Sequence, residues 1–358
     1  MRRILLACTL LLASCAAADT ATAPQYLGQW RVPAGATLEG TVIGGLSGIS
    51  YDAGRDLYYI VSDDRSAKNP ARFYTVRISL SDSGIDGVEF VSTHPWLDED
   101  GREFAPLNMD AHPSVVPPDA EGIAVDTRRQ RLYWSSEGER RDAALLDPWV
   151  RIADPQGRYI GEFTMPPGFE MSSHERGPRR NSGLEGLTLT PDGRSLFAAM
   201  EGPRYEDGAP PDGEHGALTR ITKFDVETRN PVAQYAYPLD RVSAGPEGDN
   251  GLSDLVALDD ETFLAVEGGY GLRAASRLYR VSVGEADDVL TRPTLDGATA
   301  MTKTLLADLS TTQGLSPLDN IEGVTLGPTL PDGRQSVVMV SDDNFSPTQT
   351  TQFLAFAL

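Results

Sequence analysis

The sequence predicts an all-β protein, a β-propeller of five four-stranded blades, and three observations carry that reading. An apolar residue followed by serine or glutamate, and usually by glycine, recurs as "LSGISY" from Leu46, "AEGIAV" from Ala120, "LEGLTL" from Leu184, "LSDLVA" from Leu252 and "IEGVTL" from Ile321. From Ser47 through Glu121, Glu185 and Ser253 to Glu322 the steps are 74, 64, 68 and 69 residues, a near-constant period of the kind repeat architectures show. Each copy continues as an apolar strand, a turn rich in Asp, Gly or Arg, and a second apolar strand with an acidic end. No stretch carries the 3.6-residue periodicity of a long amphipathic helix.

Two further strands complete each repeat. "RFYTVRISL" and "VEFVSTHPW" follow the first motif, "WVRIAD" and "IGEFTM" the second, "LTRITKFDV" and "VAQYAYPL" the third, and "RLYRVSV" and "KTLLADL" the fourth. Their β-branched and aromatic content suits half-buried antiparallel strands. The fifth repeat has only "TQFLAFAL" left, so its missing strand is assigned to "QYLGQWRV" at residues 25–32, which has no repeat of its own. Pairing the first strand with the last closes the ring and removes an exposed edge. A sixth blade would require strands hidden in residues 97–118 or 284–302.

The 358 residues include 35 glycines and 25 prolines, with a formal net charge of -21. Such acidity argues against nucleic acid or an anionic membrane surface as a partner and favours cations. The chain opens "MRRILLACTLLLASC", a basic pair followed by an apolar run of ten residues, too short to span a bilayer, which reads as an export signal. Leu12-Ala13-Ser14-Cys15 resembles a bacterial lipobox. The expected organisation is a signal at 1–15 ending at a lipidated Cys15, a tether at 16–24 and one propeller at 25–358, on a lipoprotein facing the periplasm or cell surface, at the outer membrane. Cleavage after Ala18 is the alternative. Cys8 lies in the signal, so no disulfide or thiolate metal site is expected.

In a propeller blade the start of the first strand and the end of the second meet at one rim of the central channel. At the starts stand Ser47, Glu121, Glu185, Ser253 with Asp254, and Glu322. At the ends stand Asp63 and Asp64, Glu137 and Glu139, Glu201, Glu267, and Asp342 and Asp343. Turn chemistry explains Asp192-Gly193 and Asp332-Gly333 but gives no reason for acidic residues at both strand ends. Carboxylates crowded in this way repel unless some hold protons or a cation sits among them, and oxygen-only ligands favour Ca²⁺ or another hard divalent ion. Asn181, Asn250 and Asn320 stand just upstream of three motifs. The carboxylates Asp63, Asp64, Glu137, Glu201, Asp254, Glu267, Asp342 and Asp343 are the candidate metal ligands, and Glu121, Glu185 and Glu322 the candidate catalytic groups. Arg65, Arg140 and Arg204 follow the strand ends and are candidates to fork a phosphate or carboxylate. No G-x-S-x-G elbow occurs, the histidines at 94, 112, 174 and 215 are scattered, and neither a P-loop nor a dinucleotide fingerprint is present.

The ordered series "GGLSGISYD", "VSDDR", "DAEGIAVD", "SEGE", "NSGLEGLTLTPDG", "MEGPR", "LSDLVAL", "DNIEGVTL" and "VSDDN" resembles the phytase-like family described as "esterase-like activity of phytase", whose members are exported bacterial proteins. The resemblance covers roughly residues 28–358 and implies a phosphoester hydrolase or esterase. Three functions are therefore weighed: a metal-dependent phosphoric ester hydrolase acting on a small molecule; a single-metal lactonase or carboxylic esterase similar to the gluconolactonase group, using Glu185, Asn181, Asn250 and Asp254; and a non-catalytic propeller that binds a ligand at the cell envelope.

Overall fold

A computed structural model describes residues 23–141, 144–245 and 247–358. The expected signal and Cys15, with nearly all of the tether, lie outside the described residues. Five four-stranded antiparallel sheets are arranged as blades, accompanied by two two-stranded hairpins. Blade 1 comprises Leu46–Asp52, Leu57–Ser62, Arg72–Ser81 and Gly84–Pro95. Blade 2 comprises Ala120–Asp126, Arg131–Ser136, Trp149–Ala153 and Tyr159–Glu162. Blade 3 is built from Leu184–Leu189, Ser195–Met200, Ala217–Asp225 and Asn230–Leu239. Blade 4 uses Gly251–Ala257, Thr262–Gly269, Ala275–Ser282 and Thr302–Asp308. Blade 5 uses Asn320–Thr329, Gln335–Asp342 and Gln352–Ala357, and Gln25–Arg31 pairs antiparallel with the last of these to supply its fourth strand.

Residues 97–118 contribute only the isolated bridges Leu97–Glu103 and Asn108–Val115, so the room left for a sixth blade is taken by loop. The Asp-Gly turns behave as their chemistry predicts: Asp192 and Asp332 accept the backbone N–H groups of Arg194 and Arg334, with Gly193 and Gly333 at positive φ.

Because each blade is packed on both sides, its strands are apolar on both faces and read as near-continuous hydrophobic runs. In "LYYIVS", Tyr58 and Ile60 enter the core between blades 5 and 1, while Tyr59 and Val61 enter the core between blades 1 and 2. The same alternation sends Phe263 and Ala265 into the core with blade 3, and Leu264 and Val266 into the core with blade 5. Between blades 1 and 2, Trp96 stacks on Trp134 at 4.3 Å and 3°.

The recurring motif is a shared backbone device. All five inner strands change register across it, at Leu46/Ile49, Ala120/Ile123, Leu184/Leu187, Leu252/Asp254 and Ile321/Gly323. Such bulges turn a strand sharply at a barrel rim. The motif glycine then lies against the next blade: a Cβ on Gly122 would stand 2.4 Å from the carbonyl oxygen of Glu185, and one on Gly323 would stand 2.5 Å from that of Ser47. Glycine is the residue that lets the inner strands approach this closely around the channel.

Candidate functional site

The channel mouth opens into a cavity of about 570 Å³. Its wall follows one structural rule. In each blade one residue at the end of the second strand, or just past it, sits opposite the residue two places before the motif acid or serine. Asp63 N–H donates to the Gly45 carbonyl at 2.8 Å, Glu137 to Asp119 at 2.9 Å and Glu201 to Gly183 at 2.8 Å, while Gly268 pairs with Gly251 and Asp342 with Asn320. Asp63, Glu137, Glu201, Gly268 and Asp342 are thus equivalent positions, and all five line the cavity together with Glu121, Glu185, Ser253 and Glu322 from the motifs. Asp119, Asn181, Asp249, Asn320, Tyr270 and Arg65 complete much of the wall.

Strand alternation explains which expected residues are elsewhere. Adjacent residues point to opposite faces, so Asp63 and Asp342 face the cavity while their neighbours Asp64 and Asp343 turn away. Asp64 accepts the N–H groups of Ala67, Lys68 and Asn69 and pairs with buried Arg72 at 2.7 Å. Asp343 accepts from Gly45 and Phe345 N–H and from the Thr351 hydroxyl. Glu267 stands one residue before the cavity position held by Gly268. Its carboxylate is buried between blades 3 and 4, taken up by the Tyr237 hydroxyl, Asp240 N–H, Asn250 and Lys303. Asp254 occupies the place of the motif glycine and accepts the N–H groups of Leu255 and Val324, each at 2.8 Å. Asn250 is engaged by Glu267 and the Asp240 carbonyl, outside the cavity.

The arginines divide in the same way. Arg65 lines the cavity but is spanned by Asp119 at 3.0 Å and Glu139 at 2.5 Å. Arg140 donates to the carbonyls of His174, Arg176 and Pro178 and stacks on Tyr205, and Arg204 is buried against Asp207 and the Gly168 and Pro293 carbonyls. Two cavity carboxylates, Asp119 and Asp249, escaped the sequence reading. Both stand in the short segment before a motif, where the regular repeat of residue types stops, although Asn181 and Asn320 had marked that segment as relevant.

Burial, with added repulsion between neighbours, raises the pKa of eight of these carboxyl groups. Asp63 is pushed up to about 7, first by burial and then by Asp119, Asp64 and Asp343. Asp119 is pushed up to about 8, and Glu137 and Glu322 to about 7, burial being the main cause in each. Glu121, Glu185, Glu201 and Asp342 lie well above the ordinary range for the same reason. Ligand oxygens of Glu137, Glu185 and Glu201 lie within 4.8 Å of one another, close enough to meet on one ion, and the buried Oδ1 of Asp63 has no hydrogen-bond partner. An all-oxygen donor set with unspent carboxylate valence fits a hard divalent cation.

These features define a five-bladed propeller with a carboxylate-lined cavity at one mouth of its channel. The chain belongs to the family described as Phytase-like, esterase-like activity of phytase, which it matches over residues 41–345. It is 23% identical over 271 residues to a protein of Arthroderma benhamiae described as an uncharacterized secreted protein, covering 67% of this chain and 51% of that one. The chain thus spans about half the length of that curated relative. Among solved structures it is similar to a periplasmic gluconolactonase of Pseudomonas aeruginosa, with 12% identity, coverage of 94% of this chain and 98% of that one, and a TM-score of 0.39. It is likewise similar to an exo-β-1,3-galactanase of Phanerochaete chrysosporium, with 10% identity, coverage of 92% and 64%, and a TM-score of 0.48.

Proposed function

We propose that the protein is an ester hydrolase that works with a divalent cation, Ca²⁺ first among them, at the acidic channel mouth, with a phosphoester as substrate. The observation that supports it most is the convergence of Glu137, Glu185 and Glu201 within 4.8 Å in a cavity that six further carboxylates, Asp63, Asp119, Glu121, Asp249, Glu322 and Asp342, also line. An anionic substrate would be repelled from such a cavity without a cation. When bound, the cation supplies Lewis-acid polarisation of the ester and a more acidic water.

The chain's own groups have separable roles in this reading. Glu137, Glu185 and Glu201 hold the ion, and Gly183 N–H, donating to Glu137 Oε1 at 2.9 Å, fixes the first of them. Glu322, held near 7 and oriented by Asn320 Nδ2 at 2.6 Å, accepts a proton from the attacking water. Asp119, within reach of Glu121 and Glu137, shares a proton with them and keeps the pocket from carrying its full negative charge. Arg65 offsets part of the remaining charge and lies nearest to an entering oxyanion.

One observation favours a second reading, a lactone or carboxylic ester as substrate: Arg140 and Arg204 are turned away from the cavity, leaving Arg65 as its cationic side chain. Turnover of 4-nitrophenyl phosphate, 4-nitrophenyl acetate and gluconolactone, measured in EDTA and after addition of Ca²⁺, Mg²⁺ or Mn²⁺, separates the two. Metal-dependent phosphatase activity lost in Glu185→Gln supports the first; lactone or acetate turnover alone supports the second. Binding without any turnover would make the propeller a ligand-binding module of the cell envelope.

Export belongs to the same proposal. The signal-like opening segment and the family resemblance support it, and the Arthroderma benhamiae relative is described as secreted. Among the described residues no helix is long and apolar enough to cross a membrane. Attachment through a lipidated Cys15 at the outer membrane is tested by palmitate labelling of the wild type and of Cys15→Ala.

A further inference from the structure

Beside the acidic cavity lies a second one, of about 490 Å³, and a single strand end forms part of the wall between them. Asp342 and Asn344 line the acidic cavity, Asp343 and Phe345 line the second, and Gln349 borders both. The wall is built under strain. Asn344 and Phe345 both have left-handed backbone, φ 47° and 48°, a conformation rare for a bulky aromatic residue. It is held by Asp342 accepting Asn344 N–H at 2.7 Å and Asp343 accepting Phe345 N–H at 3.0 Å. The Phe345 ring lies against Gly44 and Gly45, where a Cβ would come within 2.9 and 2.6 Å of it.

The second cavity reverses the chemistry of the first. Its lining is largely apolar, from Val32, Pro33, Val42, Ile43, Phe345 and Pro347. Its charged groups are mostly cationic in a chain of net charge -21. Lys68 Nζ stands 5.2 Å from the centre of the Phe345 ring, and Arg31 donates to the Ser316 carbonyl at 2.7 Å. Among the described residues neither forms an ion pair. Asp343, the carboxylate in the lining, already accepts three hydrogen bonds. An apolar body carrying an anionic end satisfies such a pocket, since the body removes apolar surface from water and the end meets Lys68.

We infer that this cavity is a binding subsite for an anion with an aromatic or aliphatic body. Its adjacency to the acidic cavity, with Gln349 in both linings, makes that body the leaving or acyl group of the substrate, a placement that rests on the ester hydrolase reading above. The binding itself does not rest on it.

The test uses 2-naphthoate as probe, on metal-free protein, with affinity read by fluorescence titration. Saturable one-to-one binding is expected, weakened tenfold or more in the double variant Lys68→Gln, Arg31→Gln and in the pocket-filling Ala34→Trp, and unchanged in Glu185→Gln. The neutral naphthalene-2-carboxamide should bind the wild type about as weakly as naphthoate binds the double variant. Absence of naphthoate binding to the wild type, or binding to both variants as tight as to the wild type, overturns the subsite. Turnover of 6-(phosphonooxy)-2-naphthoate, whose carboxylate can meet Lys68 while its phosphate lies in the acidic cavity, gives the independent readout: Lys68→Gln should raise KM and spare kcat. No turnover of any ester, with naphthoate still bound through Lys68, would remove the hydrolase reading and leave the subsite standing.

Discussion

Asp254 Oδ2 accepts the backbone N–H of Val324 at 2.8 Å, across the junction between blades 4 and 5, at the place where the other four blades carry a glycine. The carboxylate closes the gap that the glycine-to-backbone contact closes elsewhere. Removing it leaves a buried N–H without a partner, which costs about 1–3 kcal/mol. Asp254→Ala should therefore lower the melting temperature and leave Ca²⁺ affinity within twofold of wild type. A tenfold loss of Ca²⁺ affinity at unchanged melting temperature would instead make Asp254 a ligand.

The glycine contacts themselves can be probed. Gly122→Ala places a Cβ 2.4 Å from the Glu185 carbonyl oxygen, and forced overpacking of this kind costs about 1–3 kcal/mol. Gly87→Ala, where a Cβ meets nothing within 4 Å, should stay within about 0.5 kcal/mol of wild type. Urea unfolding of the two variants gives the comparison.

Raising the pH, rather than lowering it, should work against the metal-free fold. The cavity carboxylates have folded-state values near 7 to 8 for Asp63, Asp119, Glu137 and Glu322, against 3.8 to 4.5 for the free groups. Between those limits the folded state binds more protons than the unfolded one, so stability falls as pH rises from about 4 to about 8, then levels off. Thermal melts in EDTA across that range should show the decline, with Asp63→Asn and Glu322→Gln together making it shallower. A flat profile would mean that the carboxylates are already neutralised by some other means.

Calcium should reverse that loss. A ligand that binds only the folded state contributes about 2.7 kcal/mol at a hundredfold excess over Kd. Millimolar Ca²⁺ at pH 8 should raise the melting temperature of chelator-treated protein by several degrees, more than NaCl at matched ionic strength, because screening coordinates nothing. Glu185→Gln with Glu201→Gln should abolish the difference between the two salts.

Arg65 and Arg204 should separate function from stability. Arg204 and Arg220 share the buried Asp207, so Arg204→Gln strands part of a buried charge pair and costs about 3–5 kcal/mol. Its effect on KM should be small. Arg65→Gln should raise KM for a phosphoester at least tenfold with a melting temperature closer to wild type.

The blade count, the closing strand and the rim were legible because all three follow from the periodicity, which a sequence displays directly. The face on which each acid falls was less so. Asp64, Asp343 and Glu267 each sit one residue from a cavity position, and on a strand one residue is the difference between the channel and the space between blades. Nothing in "VEGGYG" says that the glycine after Glu267, and not Glu267, holds the place of Glu201. Likewise Asp254 looks like a second acid of the motif until the backbone shows it standing in for glycine. Asp119 and Asp249 were hidden for another reason: Asp119 stands two residues before its motif acid, as Asn320 does, and Asp249 four before Ser253, as Asn181 does before Glu185, so the positions recur while the residue types at them change from blade to blade.

The joining of Gln25–Arg31 to Gln352–Ala357 has a consequence for how the molecule comes into being. Blade 5 is a lock made of three strands from residues 320–357 and one from residues 25–31. Four blades can fold in order behind the ribosome, each on its predecessor, but the ring has no closed form until residues 352–357 appear and find a strand made more than three hundred residues earlier. Until then the flanks of blades 1 and 4 that pack on blade 5 lack their full cover, a vulnerable interval for a fold dominated by distant pairings.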